Sequence, residues 1–301
     1  MIAPAATDKT TNGRTGMVRL LRPRQWVKNV LVFAAPGAAG VLHEPGVLAD
    51  TVLAFVAFSL AASGTYCLND AADAEADRAH PTKRHRPVAD GSVSVTTARL
   101  LGVALLVASI AVASTVGGWR LPLVLLVYVA LTTTYTVWLK HIAVVDLAAV
   151  AAGFVLRAIA GAVASDVEVS DWFLIVASFG SLFMVAGKRS AELAEEGDVV
   201  SHRRVLRTYS PAYLRYVVSV ASGVTLLAYT LLAFEKADLS GSAIPWFELS
   251  IVPFGLAILR YALRLDQGAG GAPEDVVLRD RTLQVLGLVW AALAAVGVYT
   301  T

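Results

Sequence analysis

The part of the sequence best equipped for chemistry is Asn69-Asp70-Ala71-Ala72-Asp73-Ala74-Glu75-Ala76-Asp77-Arg78, followed at once by His80-Pro81-Thr82-Lys83-Arg84-His85-Arg86-Pro87. If a helix runs through the first stretch, Asn69, Asp73 and Asp77 stand four residues apart and their oxygens project from one face. Mg²⁺ keeps several waters and takes one or two carboxylates together with substrate phosphate oxygens, so this ladder suits a metal-bound diphosphate better than a bare ion. Asp70 falls off that face, placed to support the site from behind. Downstream, Arg78, Lys83, Arg84 and Arg86 supply charge for the remaining phosphate oxygens, Arg through bidentate contacts and Lys as a point charge. A charge run between apolar segments ordinarily means only exposure to water. Three oxygen-bearing side chains in register at the edge of an apolar block point to a site instead.

The elements that must position these residues are membrane spans. Of the 301 residues, 56% are hydrophobic and 16% charged, against roughly 25% charged in soluble domains. The apolar residues fall into blocks long enough to cross a hydrocarbon core as helices. The expected spans are 27–43, 50–68, 94–116, 119–139, 142–164, 170–187, 212–234, 245–265 and 282–299. Backbone amides in hydrocarbon must pair within their own segment, so the fold class is all-α: a polytopic bundle of about nine transmembrane helices. The loops after the second, fourth, sixth and eighth spans are basic, and the opposite loops carry only Arg120 and Lys236. Lys and Arg are retained inside the cell, which places the protein in the cell membrane with its N-terminus and the acidic motif cytosolic and its C-terminus outside. Residues 1–16, rich in Ala, Thr, Gly and Pro, read as a disordered cytosolic tail, and 17–301 as a single transmembrane catalytic domain.

Other residues gain meaning from this plan. Lys28, Lys140, Lys188 and Arg189 lie at cytosolic ends of spans, where phosphates must sit, and are candidate phosphate ligands; Tyr135 is placed to hydrogen-bond a phosphate. Arg157 lies inside the fifth span, where a guanidinium in lipid is costly, so it should face the bundle, with Asp146 or substrate as its partner. Trp26, Trp119, Trp172 and Trp246 sit at span ends, which the interfacial aromatic belt explains. The five histidines show no metal-ligand spacing, and Cys67, the only cysteine, excludes an intrachain disulfide. No basic region is long enough to follow a phosphate backbone, so no nucleic-acid partner is expected. A transporter would carry ionisable residues near the midplane and paired broken spans, whereas these acids cluster at one edge.

The pattern Asn-Asp-x-x-Asp-x-x-x-Asp at 69–77 resembles the first aspartate-rich motif of the UbiA prenyltransferase superfamily, and the likeness extends over the whole chain. It includes the nine-helix plan, Leu21-Arg22-Pro23-Arg24-Gln25-Trp26-Val27-Lys28-Asn29, and Tyr135 to Lys140. The resemblance implies Mg²⁺ held by Asn69, Asp73 and Asp77. Asp77 to Arg84, Arg157 to Gly161 and Phe179 to Arg189 are similar to the branch that transfers a phosphoribosyl group. That branch implies phosphoribosyl pyrophosphate as donor, decaprenyl (polyprenyl) phosphate as acceptor and pyrophosphate as product. The second aspartate-rich motif of ordinary members is missing: Lys188-Arg189-Ser190-Ala191-Glu192 stands in its place, with Glu192 left to support a metal-bound water. The alternative is transfer of a polyprenyl chain from its diphosphate to an aromatic or other acceptor. Association into a homo-oligomer is left open by the sequence.

Overall fold

The computed structural model describes residues 9–195, 204–268 and 273–300. In chain order the helices are α1 (Lys9–Leu21), α2 (Ala34–Ala38), α3 (Pro45–Ala72), α4 (Ala74–Arg78), α5 (Val95–Ala113), α6 (Arg120–Val137), α7 (Val145–Ala164), α8 (Asp171–Glu195), α9 (Pro211–Ser240), α10 (Trp246–Asp266), α11 (Pro273–Arg279) and α12 (Arg281–Tyr299). Among the described residues there is no strand, and eight helices are long and apolar enough to cross a membrane: α3, α5, α6, α7, α8, α9, α10 and α12. Residues 1–8 of the expected tail lie outside the described residues. Residues 9–16 form the first turns of α1, a helix in which Leu20 is fully buried.

The first expected span, 27–43, takes an unexpected form. It is a 3₁₀ segment, Pro23–Phe33, followed by the short α2. The chain nevertheless runs between the two ends of the bundle here. At one end the Arg22 side chain reaches Asp70 near the C-terminus of α3; at the other Gly40 lies against Val298, and the His43 ring meets the Tyr299 ring edge-on at the end of α12. A 3₁₀ helix rises about 2.0 Å per residue against about 1.5 Å in an α-helix, so residues 23–38 cover roughly 30 Å, about the thickness of a hydrocarbon core. One stretched pass and eight long helices give nine traverses of the bundle among the described residues.

The ends are fixed by cross-links. At the motif end Asn69 bonds Thr136, Arg189 bonds Asp146, and Arg260 bonds Asp280. At the opposite end Arg120 meets Asp166 and Ser170 donates to Glu235. Two glycine contacts let helices approach closely, as small residues do where helices meet in membranes. A Cβ on Gly64 would lie 2.9 Å from the Gly102 carbonyl oxygen, which seats α5 on α3. A Cβ on Gly161 would lie 1.7 Å from the Val32 carbonyl oxygen, so the first pass rests directly on the backbone of α7. Leu100, Val103 and Val107 form an exposed apolar row on α5, the lipid-facing counterpart of this packing.

Candidate active site

The acidic motif sits where α3 ends. The helix does not run through unbroken: Asp73 adopts φ −91°, ψ 4° between α3 and α4. The one-turn spacing survives the break, because the Asp73 N–H donates to the Asn69 carbonyl at 2.9 Å and the Asp77 N–H to the Asp73 carbonyl at 2.8 Å. Thr136 Oγ1 donates to the Thr132 carbonyl and therefore accepts from Asn69 Nδ2 at 3.2 Å. This orients the amide and leaves Asn69 Oδ1 as its ligand-capable atom.

Two of the acids, Asp70 and Asp77, two helical turns apart, are joined by a shared arginine. Arg86 Nη1 lies 3.2 Å from Asp70 Oδ1 and 2.9 Å from Asp77 Oδ2, and Arg22 Nη2 donates to Asp70 Oδ1 at 2.7 Å. Asp70 thus ties Arg22 and Arg86 into one cluster. Arg22 itself adopts a left-handed conformation, φ 52°, and lies over the Tyr66 ring, which aims its guanidinium at the acid. Arg22, Asp70 and Arg86 border a cavity of about 370 Å³ also lined by Arg19, Lys83 and His85. Arg78, Lys83 and Arg84 are exposed around it.

No group of three or more His, Cys, Asp or Glu among the described residues converges as a ready-made metal site. The donor set nevertheless fits Mg²⁺, which needs only one or two protein carboxylates. Asp70 Oδ2 is a buried carboxylate oxygen that accepts no hydrogen bond among the described residues. Such an oxygen is costly unless a cation or donor joins it.

A second polar cluster lies across the same end of the bundle. Arg189, 4% exposed, donates to Asp146 Oδ2 at 3.2 Å, Glu192 Oε2 at 2.7 Å and Tyr135 Oη at 3.2 Å. Arg189, expected to bind phosphate, turns its donors inward and links α6, α7 and α8. Glu192 is engaged by Arg189 and lies 4.0 Å from Lys188, whose side chain is 41% exposed and remains available to a ligand. Tyr209 donates to Asp146 Oδ1 and accepts from the Val144 N–H at 2.6 Å, holding Val144 at φ 69°, a strained value for a β-branched residue. Burial and this bond to Asp146 raise the Tyr209 pKa above the ordinary phenol value.

Arg157 faces the bundle, as its place in an apolar span requires. Its partners are neither Asp146 nor an open cavity: Nε donates to Asn29 Oδ1 at 2.7 Å, Nη1 to the Gly153 carbonyl at 2.6 Å and Nη2 to Tyr128 Oη at 2.9 Å. Asn29, fully buried, passes the link to Ser59 on α3. Arg157 thus pins the first pass to α6 and α7, well below the acidic motif. Lys28 Nζ bonds Gln25 on that pass, and Lys140 lies half-buried after α6. Asn29, Tyr128 and Tyr209 carry no sequence signal of this kind, because each meets its partner across a large sequence separation.

Comparison with known proteins places this geometry. The UbiA prenyltransferase family profile matches residues 30–281. The chain is 48% identical over 288 residues to a decaprenyl-phosphate phosphoribosyltransferase of Corynebacterium glutamicum, covering 94% of this chain and 87% of that one. It is 47% identical over 307 residues to the decaprenyl-phosphate phosphoribosyltransferase of Mycobacterium tuberculosis, covering 99% of each. Among solved structures, a UbiA homolog from Archaeoglobus fulgidus bound to DMAPP and Mg²⁺ superposes with a TM-score of 0.71 at 19% identity, covering 93% of this chain and 97% of the other.

Proposed function

Because the chain belongs to the UbiA prenyltransferase family, we propose that it transfers the 5-phosphoribosyl group of phosphoribosyl pyrophosphate to decaprenyl phosphate and releases pyrophosphate. The observation that carries this reading is 47% identity, end to end, with a relative of that name. Transfer of a polyprenyl chain from its diphosphate is the weaker reading. It calls for acids on α8, where this chain has Arg189 enclosed by Asp146, Glu192 and Tyr135.

Asn69, Asp73 and Asp77, with Asp70 Oδ2 beside them, would hold Mg²⁺, which neutralises charge on the departing pyrophosphate when bound. The residues of the chain do the rest. Arg22, Lys83 and Arg86 line the cavity and bind donor phosphate oxygens; Lys28, Lys140 and Lys188 stand at the same end of the bundle for the acceptor phosphate. The acceptor is already ionised at neutral pH, so no general base is required. An acceptor phosphate oxygen attacks C1 of the ribose as the C1–O bond to pyrophosphate breaks, and fixed cations placed where negative charge develops supply much of the rate.

The donor is a water-soluble phosphate ester, which agrees with a cell-membrane enzyme whose motif end and N-terminus face the cytosol and whose C-terminus lies outside. Residues 17–301 act as one catalytic domain, and membrane lipid surrounds the exposed apolar rows. The test is incubation of purified protein with labelled phosphoribosyl pyrophosphate, decaprenyl phosphate and Mg²⁺. Labelled lipid with equimolar pyrophosphate is expected; labelled donor left intact would overturn the reading.

A further inference from the structure

Asp70 and Asp77 pose an electrostatic problem that two arginines, Arg22 and Arg86, answer. Their carboxylates are 1% and 5% exposed, and like charges removed from water both repel and lose hydration. Arg22 compensates Asp70 alone, at 2.7 Å. Arg86 Nη1 bridges the two acids, and among the described residues the Asp77 side chain has no other hydrogen-bond or ion-pair partner.

Resting on the reading of Asp77 as a metal ligand, we propose that Arg86 is the internal counter-ion of the metal site. It occupies the acid pair while no divalent ion is bound, yields the pair when one arrives, and turns to the phosphate oxygens of the donor. The mounting of Arg86 permits this. It belongs to the loop that follows the short 3₁₀ turn Lys83–His85, not to a long helix. Its backbone is tied, with its N–H on the Lys83 carbonyl at 2.9 Å and its carbonyl accepting from the Asp90 N–H at 2.8 Å. Its side chain is 28% exposed and borders the cavity into which it would swing. Asp70 Oδ2, with no hydrogen-bond donor among the described residues, offers an entering cation a first ligand before Arg86 has left. The guanidinium fork then meets phosphate, the geometry in which it binds best.

The test measures Mn²⁺ binding to detergent-purified protein without substrate, by electron paramagnetic resonance of the free ion. With its competitor removed, Arg86→Gln should bind Mn²⁺ about tenfold tighter. The same protein should bind phosphoribosyl pyrophosphate, metal present, about tenfold more weakly. Arg86→Lys keeps the charge but loses the fork, and should lie between wild type and Arg86→Gln on both scales. Mn²⁺ affinity unchanged or weakened in Arg86→Gln, or in Arg86→Lys should the glutamine protein not fold, overturns the proposal. Tighter Mn²⁺ binding with no affinity of either protein for phosphoribosyl pyrophosphate upholds the counter-ion and removes the donor assignment instead.

Discussion

Gly161→Ala tests whether the first pass is held in place by a backbone contact. The added Cβ would lie 1.7 Å from the Val32 carbonyl oxygen, and contacts under 3.0 Å are essentially never seen, so one of the two segments must retreat by at least 1.3 Å. The obstacle is backbone, which cannot rotate away as a side chain can. Retreat also reaches the 2.7 Å bond between Arg157 and Asn29, one 3₁₀ turn before Val32, and through the pass the aim of Arg22 at Asp70. Overpacking of a core typically costs about 1–3 kcal/mol. With a backbone clash and a strained buried bond together, about 3 kcal/mol or more is expected, a fall in melting temperature of about 6 °C or more. Gly223→Ala is the control: nothing lies within 4 Å of a Cβ there, and a helical alanine should stabilise by up to about 1 kcal/mol. Thermal melting of both variants in one detergent reads the difference. Wild-type melting and turnover for Gly161→Ala would refute the proposed seating of the first pass.

Other outcomes follow from the two polar clusters. Tyr209→Phe removes the donor to Asp146 and the acceptor for the Val144 N–H, and should cost about 1–3 kcal/mol in a melting experiment; an unchanged melt would show that Asp146 is held by Arg189 alone. The raised Tyr209 pKa means that its contribution is complete below about pH 10 and is lost as the pH rises through the raised folded value, so wild type should lose its advantage over Tyr209→Phe in alkali. At the start of α12, burial opposes ionisation of Asp280, but hydrogen bonds from Arg260 and the Leu283 N–H and the charges of Arg260 and Arg264 outweigh it and lower its pKa. A depressed carboxylate contributes stability above about pH 4 and loses it as the pH falls through the folded value, so melting of wild type should decline on that limb more steeply than melting of Asp280→Asn.

Eight of the nine expected spans are recovered as long helices because each is a continuous apolar block whose length matches the bilayer. The first was legible as a traverse but not as a 3₁₀ segment that packs against Gly161 of a helix far along the chain. The one-turn spacing of Asn69, Asp73 and Asp77 was legible in the sequence, and the break at Asp73 preserves it. The pairing of Asp70 with Asp77 was not, because it depends on Arg86 reaching back from the following loop. Arg157 was recognisable as a costly charge in an apolar span, and Arg189 as a cation at the cytosolic end of one. Their partners were not, as nothing local distinguishes Asn29 or Tyr128 from Asp146 as the acceptor.

Asp73 offers the most direct test of the account. It is half-buried, and among the described residues its side chain has no hydrogen-bond or ion-pair partner, so a ligand is its only assigned work. The decisive measurement is formation of labelled lipid from phosphoribosyl pyrophosphate and decaprenyl phosphate by Asp73→Asn, beside its melting temperature. The account predicts wild-type melting with turnover lowered about a hundredfold or more, the scale on which losing a group that acts at developing charge is felt. Wild-type turnover by Asp73→Asn would contradict it.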